Sequence, residues 1–251
     1  MIARLFLIYL VIILFGGRLS PYDPRTTQPD IALQPPTWSH PAGTDSLGRD
    51  VLSRALHGGA ITLTNAVLAV SIAVGVGIAL GLRTQAGWGD TLLDALIAAL
   101  ISLPSIIVAL MTITLFGGGD LALSIAVGIA QIAPFAQLTR MLTCHTAHMD
   151  YVDAAAALGA RPFWLLTHHI APNIAPTLAG YACVTFGMCI MNGAALTFLG
   201  FGGAIGRAEW GAMLYEGRQA FRSAPWIAFL PGLGIASAVG LLNALADRLT
   251  R

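Results

Sequence analysis

The chain has 251 residues, 56% of them hydrophobic and 10% charged, with a formal net charge of +1 and a mean hydropathy of +0.76. Soluble domains carry about 25% charged residues, so a water-covered globule is excluded and lipid is the expected solvent, while the near-neutral balance leaves no footprint for nucleic acid. All thirteen basic residues are arginine, which excludes a P-loop, whose lysine reaches the nucleotide phosphates, and a pyridoxal Schiff base.

The first apolar run, Leu5 to Gly17, has thirteen residues, about 20 Å of helix at ~1.5 Å per residue. Arg18, Pro21 and Pro24 follow it instead of an A-x-A-like cleavage site. A retained short helix over residues 1–17, with Arg4 and Arg18 snorkelling at its ends, is therefore favoured over a cleaved signal peptide. Residues 18–59 read as a loop with a short amphipathic helix. Thr44 or Asp45 caps it, Leu47, Val51 and Leu52 form its apolar face, and Arg49, Asp50 and Arg54 keep the other face wet.

Beyond this loop the charges leave long silent stretches: Ala55 to Leu82, Ala95 to Gly119, Leu121 to Thr139, Pro162 to Gly206, and Ser223 to Ala246. Each holds the roughly 20 apolar residues that cross a bilayer as helix. The expected spans are residues 60–82, 92–116, 119–138, 177–199 and 226–246, a five-helix core over 60–247. With the first helix they make an all-α integral membrane protein of about six transmembrane helices, both termini on one side. Pro104, Pro134 and Pro231 each remove a helix hydrogen bond inside a span. The freed carbonyls need a neighbour or a wet cavity, which suits a conduit, although ordinary kinks in a packed bundle fit any single one equally.

A polar stretch over residues 140–176 separates the fourth and fifth spans. Within YVDAAAALGARPFWLLTHHIAPN (151–173), Asp153 and the alanines after it start a helix. Gly159 ends that helix in the left-handed conformation and Pro162 opens the next. The product is a helix–turn–helix outside the membrane. Its apolar face, Phe163 to Leu166, is able to fill a groove on a partner. Arginine bias does not orient the chain: six arginines fall on the side of the N-terminus and seven on the other.

The stretch just described resembles the EAA loop of ABC-importer permeases, E-A-A-x-x-x-G. Asp153, Ala154, Ala155 and Gly159 match it, with Asp for the usual Glu. His169-Ile-Ala-Pro172-Asn173 is similar to the H-I-L-P-N ending of the oligopeptide, dipeptide and nickel branch. HPAGTDSLGRDVLSR from His40 resembles that branch's second-permease signature, through Gly43, Thr44, Asp45, Gly48, Arg49 and Asp50. LTFLGFGG…EWGAML, with Glu209 and Trp210, and the SAPW…PG stretch from Ser223 resemble its segment before the last span.

The resemblance implies a type I ABC-importer permease fold in a bacterial inner membrane, multi-pass, with a cytoplasmic EAA-like loop and cytoplasmic termini. It implies a sister permease, two ATP-binding subunits docking on the loop at Asp153, Ala154, Ala155, Gly159, Phe163, Trp164, His169 and Pro172, and an extracytoplasmic binding protein. ATP and Mg would be bound by the partner ATPase subunits, leaving this chain with no cofactor and no catalytic residue. Di- or oligopeptides are the expected cargo, with nickel or a metal–chelator complex as the alternative.

Two rivals from other classes remain weaker. A secondary transporter would show inverted repeats and an intramembrane ionisable residue; the sequence offers no repeat and only Asp94, one turn inside the third span. An intramembrane enzyme would need H-E-x-x-H or G-x-S-x-G, and neither occurs. His145 and His148 with Cys144 and Asp150 have metal-ligand spacing, but read as solvated side chains, as do His168 and His169; no metal site is expected. Cys144, Cys183 and Cys189 read as reduced packing residues. Met188 and Asn192 are candidates for lining a path, although packing is the favoured role.

Overall fold

The computed structural model describes residues 9–250 except 10, 14, 19, 84–87 and 203–205. The expected first span, 1–17, lies largely outside the described residues. Where described it is helical, and Tyr9 Oη donates to the Gly234 carbonyl at 2.8 Å. Helix α1 (Val51–Gly81) is followed by α2 (Trp88–Ile101), α3 (Ser105–Phe116), α4 (Asp120–Ala147), α5 (Asp150–Ala157) and α6 (Pro162–Leu165). A π-helical turn, Leu166–Ile170, runs α6 into α7 (Ala171–Phe198). Then come α8 (Trp210–Gly217) and α9 (Trp226–Leu249). Among the described residues the only bridge is an isolated one between Thr44 and Asp50.

Among the described residues four helices are long and apolar enough to cross a membrane: Val51–Gly81, Asp120–Ala147, Pro162–Phe198 and Trp226–Leu249. At ~1.5 Å per residue all four exceed a hydrocarbon core of ~30 Å, the first and third, of 31 and 37 residues, by the most. One end of the molecule gathers the start of α1, the starts of α4 and α9, the end of α7, and α8. The opposite end gathers the ends of α1 and α4 with α5 and α6.

The expected span over 92–116 is corrected. It is two helices, bent by 99° between Thr91–Ile101 and Ser105–Phe116. Pro104 is the cause: it has no N–H to donate and pushes the preceding residue away from the helical region. Its own backbone is extended, at φ −55° and ψ 130°. Pro134 and Pro231, by contrast, sit inside continuous helices, so their effect is local. Asp94 on α2 is paired: Arg140 of α4 holds it with Nε at 2.5 Å and Nη2 at 2.9 Å. That pair ties the first half of the bent unit to α4.

The tightest packing is α1 against α4. Along α1 the buried Ala66, Ala69, Ala73, Gly77 and Gly81 recur every three or four residues, one stripe of small side chains that lets two backbones close without a hydrophobic driving force. Gly128 on α4 answers it, because a Cβ there would lie 2.9 Å from the Ala69 carbonyl and 3.0 Å from Ile72 Cβ. Gly128→Val is therefore expected to destabilise the purified chain by about 1–3 kcal/mol through overpacking. Unfolding in detergent measures it; an unchanged midpoint would contradict the close approach.

Candidate functional site

The two families of motif residues separate to opposite ends of the molecule. At one end is the loop between α4 and α7. Asp150 and Asp153 lie in the first turn of α5, where acidic side chains complement the helix dipole. Gly159 has φ +88°. Its N–H bonds the Ala156 carbonyl at 2.9 Å, and that of Ala160 bonds the Ala155 carbonyl at 3.1 Å. These two bonds make a complete Schellman stop, which satisfies carbonyls the helix would otherwise leave unpaired. The chain then turns at Arg161 and re-enters helix with Pro162 at its first position.

The second helix of the expected helix–turn–helix is not separate. It is the first turn of the rod 162–198, joined to α7 through the π turn; single π turns of this kind recur at functional sites. The end is braced from within. Asn173 Nδ2 donates to Tyr151 Oη at 2.9 Å, Trp164 stacks on His168 with centroids 4.9 Å apart, and His169 meets the Trp164 edge at 5.0 Å. Val152, Ile170 and Ile174 are buried beneath. Asp153, Ala154, Gly159 and Pro172 stay exposed, while Leu158 is 90% and Phe163 76% exposed. Leu158 and Phe163 thus leave an apolar patch uncovered beside the Gly159 turn.

His148 Nδ1 lies 2.8 Å from the Cys144 carbonyl. No three His, Cys, Asp or Glu side chains converge on a common point among the described residues.

At the other end the signature residues are brought together, but not as a wet helix. The short helix expected to be capped by Thr44 or Asp45 is instead the beginning of α1. Asp50 is its cap, accepting from Ser53 N at 2.8 Å. Residues 40–49 form a compact loop with Gly43 and Gly48 at φ +72°. A Cβ on Gly48 would lie 1.8 Å from the Gln28 carbonyl, so only glycine fits. Arg49 and Arg54 are buried, Arg54 to 1% exposure, whereas Leu47 is 48% exposed.

The reason is an ion-pair network. Asp45 Oδ2 accepts from Arg49 Nε at 2.7 Å and from Arg54 Nη1. Glu216 Oε2 of α8 receives Arg49 Nη2 at 2.7 Å and Arg54 Nη1 at 2.8 Å. Two positive and two negative charges thus neutralise one another, which is the condition for burying any of them. Glu216 was invisible to motif reading, since it lies 167 positions from Arg49; a carboxylate one turn beyond the E-W-G run on α8 was the available signal.

Glu209 caps α8 by accepting from Ala212 N at 2.9 Å, and accepts from the Thr62 hydroxyl at 3.1 Å. Trp210 is buried, its Nε1 donating to the Ala55 carbonyl at 2.9 Å. Gly43 packs under Trp226 at the start of α9, whose Nε1 donates to the Thr44 carbonyl at 3.1 Å. These residues clasp the starts of α1, α8 and α9 into one cap. Between the two ends, Met188 is half-exposed on α7. Asn192, one turn on, donates through Nδ2 to Ser105 Oγ at 3.3 Å, just past the Pro104 break.

Comparison with known proteins places the chain in a family. Residues 71–251 match the family model described as binding-protein-dependent transport system inner membrane component. The chain is 34% identical to the glutathione transport system permease protein GsiD of Pectobacterium atrosepticum, over 98% of its own length and 83% of the relative's. It is 34% identical to the di/tripeptide transport system permease protein DppC of Pseudomonas aeruginosa, over 94% of its own length and 80% of the relative's. Among solved structures it is similar in fold to the MetNI methionine ABC transporter, with a TM-score of 0.57, 16% identity, and 79% of this chain and 94% of that one covered. An amino acid ABC transporter is similar too, with TM-score 0.57, 19% identity, and 78% and 90% covered.

Proposed function

The chain belongs to the family of binding-protein-dependent transport system inner membrane components, permeases of ABC importers served by separate ATPase subunits and a substrate-binding protein, and from that premise we propose that its cargo is a di- or tripeptide. The relatives named for glutathione and for di/tripeptides support this cargo over a metal complex.

The single observation that carries the coupling role is the braced, exposed surface of Leu158, Phe163 and Trp164 beside the Gly159 stop. In this reading it docks in the ATPase subunit, with Asp153, Ala154, Ala155, His169 and Pro172 framing it, and a sister permease faces the half-exposed helices. Met188 and Asn192 line the path. ATP-driven closure of the partners moves the α5–α6 corner, and the rod 162–198 carries the displacement across the membrane. Movement follows only because the docked contacts differ in free energy between the two states.

ATP-driven uptake of a labelled tripeptide into vesicles holding the complete transporter and its binding protein tests the cargo; uptake of nickel in its place would replace it. Orientation has its own expected result. In a cysteine-free background, Arg161→Cys reacts with an impermeant thiol reagent only from the cytoplasm, and Arg222→Cys only from outside. The reverse pattern would remove the coupling role.

A further inference from the structure

Two cavities meet at Glu209, and the charges around them do not balance. The outer, of about 130 Å³, is bordered by Asp120, Arg207, Glu209 and Glu216 with Gly200, Gly202 and Gly206 between them. The inner, of about 10 Å³, is bordered by Thr62, Asn65, Ser124 and Glu209, room for about one water. Glu216 is neutralised with Asp45 by Arg49 and Arg54, and Asp120 by Arg207. Arg218 lies over the Tyr215 ring at 4.1 Å and does not border the cavity.

Glu209, 5% exposed, has no basic partner among the described residues. Its two hydrogen bonds come from a hydroxyl and a backbone amide. The α8 N-terminus offers it about half a positive charge, which leaves the rest uncompensated on a buried carboxylate that faces the outer cavity. Below it, Asn65 Nδ2 is a buried donor with no partner among the described residues. A water of that size would satisfy the donor but would bring no charge.

We propose that the outer cavity is a subsite for one ammonium group, the free α-amino group of an imported peptide, with Glu209 as its counter-charge. This rests on the peptide reading above. Burying a carboxylate without a cation is unfavourable, and an incoming ammonium removes that penalty while gaining a charge-assisted hydrogen bond. Gly200, where a Cβ would meet nothing within 4 Å, borders open space, and the Asp120–Arg207 pair sets the field at the mouth.

The test uses the complete transporter in nanodiscs, with glycylglycinamide and its N-acetylated form as probes and calorimetric binding as the readout. The free amine is expected to bind at least tenfold tighter than the acetylated form. Glu209→Gln keeps an acceptor for Ala212 and a partner for Thr62 but removes the charge, and should weaken the amine at least tenfold. Asp120→Asn leaves the α8 cap untouched and frees Arg207; it should weaken binding as well, whereas Arg207→Gln should tighten it. Opposite shifts from those two variants separate an electrostatic site from a residue that only caps a helix. No binding of the amine, no effect of acetylation, or loss in Glu209→Gln without those opposite shifts would each overturn the proposal. Uptake of a labelled tripeptide is scored separately: its absence beside intact charge-selective binding sinks the peptide reading and leaves the subsite standing.

Discussion

Gly159→Val is expected to lower ATP-driven uptake at least tenfold while the chain still inserts and still pairs with its sister subunit. Gly159 holds φ +88°, and a Cβ there meets nothing within 4 Å, so the penalty is one of backbone conformation and not of collision. A residue with a Cβ loses about 1–2 kcal/mol in the left-handed region, and a β-branched one is the least suited to it. The chain escapes by giving up the Schellman stop, which turns the corner between α5 and α6 and moves Phe163 and Trp164 out of register. Buried aromatic anchors in an interface are worth about 2 kcal/mol or more each, and a factor of ten needs only ~1.4 kcal/mol. Retention of the ATPase subunit in a pull-down should fall in parallel. Near-normal uptake and retention in this variant would show that the corner is not the coupling element.

Asp45→Ala is expected to have the largest effect on stability. It removes the carboxylate that holds Arg49 and Arg54, and with it the acceptor for Leu47 N at 2.8 Å and Arg49 N at 3.0 Å. Two buried guanidinium groups are then left to share one carboxylate, that of Glu216. Breaking one partner out of a buried ionic network costs about 3–5 kcal/mol, which for a chain of this size lowers the unfolding midpoint by roughly 6 °C or more. Glu216→Gln should be milder, because its side chain is partly exposed and solvent screens the loss. A midpoint within about 2 °C of the parent for Asp45→Ala, a change of under ~1 kcal/mol, would mean that the cap does not depend on this network.

The loop between α4 and α7 was readable because everything that shapes it is local. An acidic first turn, a run of alanines, a glycine stop and a proline restart act within a few residues of one another, and the structure has them in that order. The continuation of α6 into α7 was not readable in the same way, since a helix that leaves the membrane keeps its geometry while its composition turns polar. Composition reads that change as an end; hydrogen bonding does not.

The outer motif shows the opposite case. Arg49, Asp50 and Arg54 alternate with Val51 and Leu52 as a wet helix face would, and pattern reading placed them in water. Arg49 and Arg54 are buried because Glu216 comes to them from α8 and Asp45 from the loop, and Asp50 is buried against His40 Nδ1 at 2.9 Å. The sequence by itself determined the solvent, the four spans at Val51–Gly81, Asp120–Ala147, Pro162–Phe198 and Trp226–Leu249, and the α5–α6 turn, since hydrophobic length and backbone preference are properties of neighbours along the chain. Only the tertiary structure decided which charges are buried, how far the chain bends at Pro104, and that Glu209 stands without a counter-charge among the described residues. Burying a charge is set by the sign and distance of partners brought in from far along the chain, and no local pattern carries that information.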